Sequence, residues 1–430
     1  MKVKINIYYL ILFALIQFPL RFAGLSILMY IYVYLIPLIY LIINIGWLKG
    51  LTKRICKSYA SIGIVFFVIL FLISIIWPIV IGTFDFSFIT QYWRRFILLM
   101  IKNLFLVAVY EQHIGKSQSS IENYSLYYIY AMCLYVGFTI LTILSGDLRT
   151  FLVDILYLEE KNIVDLMSPE YYTRIGWAGW AGFDATILCS IGTMFACISI
   201  IINKRNFNLQ IKYLILACIM LVGNMLYGRS GMIVSLFCLC FTGFVAMLKG
   251  SYKYVLCCIG ILLALILSLL ILKNYVPEVS YWYNWAFSMF RNFIETGKFF
   301  DSTGSMEHLV KHMYWMPDLE TLFFGDGYYT KNGLYYMQTD SGLMRLMLNY
   351  GIINYIAGWI ASILILVSFS ETVIKQKKNS KKNIKYILFM ILIVMALFEF
   401  KGEAYYKIIC ILFPITFIRR KDDKCGNECL

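Results

Sequence analysis

An arginine beside a helix start is the first feature of this sequence that bears on chemistry. Tyr227-Gly228-Arg229-Ser230-Gly231 joins two apolar runs with almost no loop between them. The first turn of a helix carries free backbone N–H groups and a partial positive charge. A guanidinium there adds a planar fork that fits phosphate or diphosphate oxygens. The plainer alternative is an arginine that snorkels to lipid headgroups and ends the hairpin. Asp340, in Thr339-Asp340-Ser341-Gly342-Leu343, stands where a polar segment gives way to an apolar helix, and Arg345 follows five residues on. An acid in that place is an N-cap. With a cation near enough to keep it ionised, it is a general base or an acceptor for a sugar hydroxyl.

Phe398-Glu399-Phe400-Lys401-Gly402-Glu403 puts three charges into one short apolar hairpin. A lone charge at the centre of a membrane helix costs roughly 2.5–3.5 kcal/mol. Three together imply mutual pairing or a polar cavity, unless the hairpin simply lies at the interface. Arg174, in Tyr171-Tyr172-Thr173-Arg174-Ile175-Gly176-Trp177, closes a long polar segment, and Trp177 and Trp180 suit a headgroup belt or stacking on sugar rings. His308 and His312 stand at i, i+4, but the order is Glu-His-x-x-x-His and no third ligand is evident. The Cys425/Cys429 pair lacks further ligands too, so no metal is expected. Neither a P-loop nor a dinucleotide glycine motif occurs, which argues against an ATP-driven machine; no cofactor is expected.

The elements that must position these residues are helical and apolar. The 430 residues are 61% hydrophobic and 14% charged, with a mean hydropathy of +0.75. Soluble domains run near 45–50% apolar and about 25% charged. So much apolar surface excludes a water-soluble globule and a disordered chain. The fold class predicted is all-α: a polytopic membrane bundle in which residues 1–430 form one integral membrane domain. A span needs about 20 mostly apolar residues. Twelve segments qualify: 5–20, 25–47, 59–81, 94–111, 124–144, 184–203, 211–227, 230–248, 254–273, 342–370, 386–399 and 404–418.

The net charge of +14 would suggest nucleic acid on a soluble protein. Here stretches such as Arg419-Arg420-Lys421 lack interleaved aromatics, so nucleic acid is set aside. With a cytoplasmic N-terminus, one side holds 22 basic residues against 6 acidic and the other 15 against 18. That bias fits the positive-inside rule and makes both termini cytoplasmic. The first apolar run follows Lys2 and Lys4 without a good cleavage site, and is read as an uncleaved span. Of twelve cysteines, nine lie within spans and none in an outer loop, so no disulfide framework is indicated. The polar bulk falls in two outer loops, roughly 145–183 and 274–341, and a protein with its bulk on one side works there. Leu148, Phe151, Leu152, Ile155, Leu156, Ile163 and Leu166 recur at helical spacing, as do Trp282, Tyr283, Ala286, Phe287, Phe290 and Ile294. Each stripe predicts an amphipathic helix, lying on the membrane interface or packed on the bundle.

Together these pieces resemble the O-antigen polymerase (Wzy-type) family of oligosaccharide repeat-unit polymerases. The resemblance rests on Gly228-Arg229-Ser230-Gly231, Phe324-Gly325-Asp326-Gly327, Asp340-Ser341-Gly342, Asn349-Tyr350-Gly351-Ile352 and the Glu399/Lys401 hairpin. Related O-antigen ligases typically carry His-Asn where this chain has Asp340-Ser341, which favours polymerase over ligase. The family implies a glycosyltransferase of the bacterial inner membrane that joins undecaprenyl-diphosphate-linked glycans at the periplasmic face, beside a chain-length regulator protein and a flippase. On that reading Arg229 stabilises the leaving diphosphate, and Asp340 activates or orients the acceptor hydroxyl with Glu399 or Glu403 as second choice. Arg174, Arg345, Lys401, Asp326 and Trp177 hold diphosphate or sugar. A lipid-linked repeat-unit flippase or other transporter is the alternative from a different class. Against it, the charged candidates cluster at the outer mouth and not at mid-depth.

Overall fold

The computed structural model describes residues 5–114, 120–156, 174–180, 182–203, 206–297, 309, 311–377 and 382–419. His308, the 157–167 half of the first amphipathic stripe, and Cys425 and Cys429 lie outside them. The helices are α1 Ile7–Gln17, α2 Ile27–Ile43, α3 Ile45–Ile55, α4 Ala60–Ile81, α5 Ile89–Ile114, α6 Ile121–Leu144, α7 Gly146–Ile155, α8 Phe183–Ile202, α9 Phe207–Tyr227, α10 Arg229–Leu248, α11 Tyr252–Tyr275, α12 Pro277–Thr296, α13 Leu319–Phe324, α14 Gly342–Lys377, α15 Lys382–Lys401 and α16 Tyr405–Thr416. Among the described residues, strand pairing in sheets is confined to two antiparallel pairs, β1 Ile175–Gly176 with β2 Gly179–Trp180 and β3 Thr330–Lys331 with β4 Leu334–Tyr335. An apolar run in lipid must satisfy its own backbone, which a helix does.

The protein is an all-α bundle of multi-pass membrane type, but twelve uniform crossings are not what forms. Among the described residues, nine helices are long and apolar enough to cross a membrane. The segments expected at 5–20 and 404–418 become α1 and α16, with 11 and 12 residues. At 1.5 Å per residue, 12 residues cover about 18 Å of a hydrocarbon core roughly 30 Å thick. The run expected over 25–47 breaks at Asn44, where α2 and α3 meet at 85°. The Asn44 Nδ2 donates to the Tyr40 carbonyl at 2.9 Å, the kind of local bond that competes with helix continuation.

Helix α8 is the hub. It packs on α6, α9 and α10, and 89% of its apolar window is buried, against 11% for peripheral α11. Small residues allow this close approach: a Cβ on Gly192 of α8 would stand 3.1 Å from Met220 Sδ of α9. Hydrogen bonds between helices add direction, as in Asn224 Nδ2 to Ser235 Oγ at 2.6 Å. At one end of the bundle Arg54 pairs with Glu111 at 3.1 Å and Glu122 accepts from Asn203 and Tyr213. The opposite end gathers the segments that carry the candidate chemistry.

Two of the short motifs turn out to be one structural unit. Helix α14 kinks at Tyr350 and Gly351, the latter at φ 83° and ψ 165°. Such a kink breaks the helical ladder and leaves carbonyls that lipid cannot satisfy. The loop after α13 fills the gap: Asp326 N–H donates to the Leu348 carbonyl at 2.7 Å and Gly327 N–H to that of Asn349 at 3.1 Å. The fit requires glycine on both sides. A Cβ on Gly351 would stand 2.0 Å from the Phe323 carbonyl oxygen, and one on Gly325 would stand 2.6 Å from Tyr350 N. The predicted stripe over 279–294 becomes α12 and lies against the bundle. Its Trp282 is buried and donates from Nε1 to the Met225 carbonyl at 2.9 Å.

Candidate functional site

Helix α9 ends at Tyr227 and α10 begins at Arg229, with Gly228 between them. The glycines here serve close packing. A Cβ on Gly231 would stand 2.3 Å from Thr186 Cγ2 in the first turns of α8. The turn is thereby held against the hub, and the Arg229 side chain projects to α12. Its Nη1 donates to Ser288 Oγ at 3.1 Å, and its guanidinium carbon lies 5.2 Å from the Trp285 ring centre. Arg174, at the edge of the β1–β2 hairpin, reaches the same ring, at 5.3 Å. Both cations thus meet the one indole, which stabilises each by about 0.5–2 kcal/mol. Two guanidiniums on one ring gather positive charge at this end of the bundle.

Lys401, the last residue of α15, is exposed and within electrostatic reach of Arg174, Arg229 and Asp340. Asp340 is exposed as well. The cap of α14 belongs to its neighbour: Ser341 Oγ accepts from Met344 N–H at 3.3 Å. Among the described residues the Asp340 carboxylate accepts no hydrogen bond, so it stays open to a ligand hydroxyl. Tyr314 covers this corner, accepting from Ser341 Oγ at 2.7 Å and stacking on Phe400 with centroids 4.7 Å apart. The structure thus sets Arg174 and Arg229 at one tryptophan ring, with Lys401 within electrostatic reach of both and of Asp340.

Arg345, expected to keep Asp340 ionised, has Glu403 as its ion-pair partner among the described residues. Arg345 is 7% exposed and pairs with Glu403, Nε to Oε1 at 3.5 Å. Its guanidinium lies over Tyr335 at 3.5 Å and Tyr329 at 4.4 Å. The Tyr329 hydroxyl donates to Glu403 at 2.8 Å. Burial first, and the Glu403 charge second, hold that hydroxyl well above its ordinary range, so it stays a donor. The Arg345 Nη2 is buried with no hydrogen-bond partner among the described residues.

Three other candidates have structural work in this arrangement. Glu399, expected as a catalytic acid, is 2% exposed. Its Oε2 accepts from Ala404 N–H at 2.8 Å and Tyr405 N–H at 3.0 Å, satisfying the start of α16, and its Oε1 lies where a Gly342 Cβ would be, 2.4 Å away. Among the described residues Oε1 is buried with no hydrogen-bond partner. Asp326, expected to bind substrate, accepts from Thr321 Oγ1 at 2.6 Å and the Tyr336 hydroxyl at 2.9 Å. The Tyr336 hydroxyl is pushed up to about 12, by burial foremost and by that bond to Asp326. Trp177 donates from Nε1 to the Phe18 carbonyl at 2.8 Å and packs edge-on against Tyr135 and Phe138, so its ring is occupied by the bundle.

Asp326→Ala therefore loosens the loop. Each bond to a charged group is worth about 1.5–3 kcal/mol, so proteolysis between 319 and 336 in the purified protein should accelerate roughly tenfold or more. Unchanged cleavage would remove the ordering role. Sequence reasoning missed Trp285 and Ser288. Their signal was faint: both lie on α12 between the members of its apolar stripe, where neither residue type marks a site. No protein-family model and no curated protein matches this chain.

Proposed function

We propose that this protein is a membrane glycosyltransferase that polymerises undecaprenyl-diphosphate-linked oligosaccharide repeat units at the periplasmic face of a bacterial inner membrane, with both termini cytoplasmic. The observation that carries the reading is the convergence of Arg174 and Arg229 on Trp285, with Lys401 and Asp340 in reach. An acceptor hydroxyl on the newest lipid-linked unit attacks the anomeric carbon of the growing chain. The new glycosidic C–O bond forms as the bond from the anomeric carbon to the diphosphate oxygen breaks, and the lipid diphosphate leaves with the electron pair. The hydroxyl proton passes to the Asp340 carboxylate. Charge grows on the departing diphosphate, where preorganised cations act most strongly. Arg174 and Arg229 supply the forks, and Lys401 a point charge beside Asp340.

Gene deletion tests the function. A strain lacking this protein should display single repeat units on its lipopolysaccharide core. Complete loss of surface glycan would indicate a flippase, and full-length glycan would overturn both readings.

A further inference from the structure

A second group of cations lies on the other side of the α15–α16 turn, and no step above uses it. Lys102 sits midway along α5, a helix of 26 residues, and is 6% exposed. A lysine at that depth is costly and marks a polar cavity or a ligand. Among the described residues it has no ion pair and no hydrogen bond. Arg95 lies two turns away on the same side of α5, just after a π-helical stretch, Ile89–Trp93; π-turns re-aim the residues that follow and recur at functional sites. Helix α16 packs along α5, fixed by Cys410 Sγ to the Phe96 carbonyl at 3.4 Å. It contributes Lys407, which pairs with Asp184 at the start of α8 and lies over the Phe183 ring at 5.5 Å.

This group of charges reaches the surface at Asp184. The Asp184 side chain is 77% exposed, although it begins the most buried helix of the bundle. The charges of Arg95 and Lys102 act on it, and Arg21 acts on Lys102. Polar groups continue beside Lys102: Gln17 Nε2 donates to Asn103 at 2.8 Å, while Gln17 Oε1 is buried without a partner.

We propose that Arg95, Lys102 and Lys407, around Asp184, form a second anion site that takes the diphosphate head of a polyprenyl-linked glycan. The identity of the ligand rests on the glycosyltransferase reading. Among the described residues, three cations against one carboxylate, with the charge of Arg21 acting on Lys102, leave a positive surplus. A diphosphate diester carries two negative charges near neutral pH and a phospholipid phosphodiester one, so the surplus favours the diphosphate. One hairpin then puts Lys401 into the first cluster and Lys407 into the second, and the two carriers of a transfer reaction flank the α15–α16 turn.

The test uses the full chain in phosphatidylcholine nanodiscs and native mass spectrometry, with undecaprenyl diphosphate as probe and phosphatidylglycerol as competitor. Wild type should bind two diphosphate lipids. Arg95→Gln/Lys102→Met should bind one, and Arg174→Gln/Arg229→Gln one. Lys102→Met removes a charge from mid-helix, so the variant should insert; a monodisperse elution profile checks this. Two lipids still bound by Arg95→Gln/Lys102→Met, or none bound by wild type, would overturn the proposal. Displacement of the second lipid by equimolar phosphatidylglycerol would make the cluster an anionic-headgroup site and overturn the diphosphate assignment. Failure of the polymerase reading appears separately, as long glycans in the gene-deletion strain.

Discussion

Arg229→Ala is expected to abolish long surface glycans while the protein still accumulates in the membrane. The guanidinium shares the Trp285 ring with Arg174 and donates to Ser288. Its removal takes away a donor oriented before any charge develops. Loss of one such donor costs ~3–4 kcal/mol in the transition state, roughly 10²–10³-fold in rate. Insertion should survive, because the Gly228–Gly231 turn is held by backbone packing against Thr186 and not by this side chain. Arg229→Lys should rescue poorly, since an ammonium cannot make a bidentate fork. The measurement is the ladder of glycan lengths beside the amount of protein in the membrane fraction. A ladder of normal intensity in Arg229→Ala would end the diphosphate role.

Gly351→Ala is expected to prevent accumulation of folded protein altogether. At φ 83° and ψ 165° Gly351 occupies backbone space that is essentially glycine's alone, and a side chain there costs about 1–3 kcal/mol in strain. The added Cβ also meets the Phe323 carbonyl at 2.0 Å. That atom belongs to backbone, so relief means moving the loop, at about 1–3 kcal/mol more. The sum is a large share of a typical stability of about 5–15 kcal/mol. Movement would also unseat Asp326 and Gly327 from the carbonyls of the kink. Gly243→Ala is the control. That glycine lies inside α10 with nothing within 4 Å of a Cβ, and alanine there should be neutral or stabilise by up to about 1 kcal/mol. Equal yields of the two variants by fluorescence-detected chromatography would show that the kink tolerates a side chain.

The contrast between these glycines also shows where reading the chain was limited. Gly351 and Gly243 both sit in apolar stretches of sequence, and only the fold tells them apart, through the left-handed φ of Gly351 and its contact with Phe323. The same holds for the acids. Glu399 and Asp340 each border an apolar helix, and both were reasonable candidates for a base. Burial and two backbone N–H groups take Glu399 for the start of α16, while Asp340 remains exposed because Ser341 caps the helix. Arg345 could have served Asp340 on spacing alone, yet Glu403 lies across the hairpin and holds it.

Helix content, the approximate placement of the membrane segments and the residues at their ends follow from composition and run length, because a chain in hydrocarbon has few ways to satisfy its backbone. All twelve segments became helical. Which of them cross fully was not legible: the break at Asn44 and the shortness of α1 and α16 depend on local bonds and on neighbours. The meeting of Arg174 with Arg229 joins residues far apart in the chain through a tryptophan on a third element. Such contacts arise when helices pack, and no periodicity in a single segment records them.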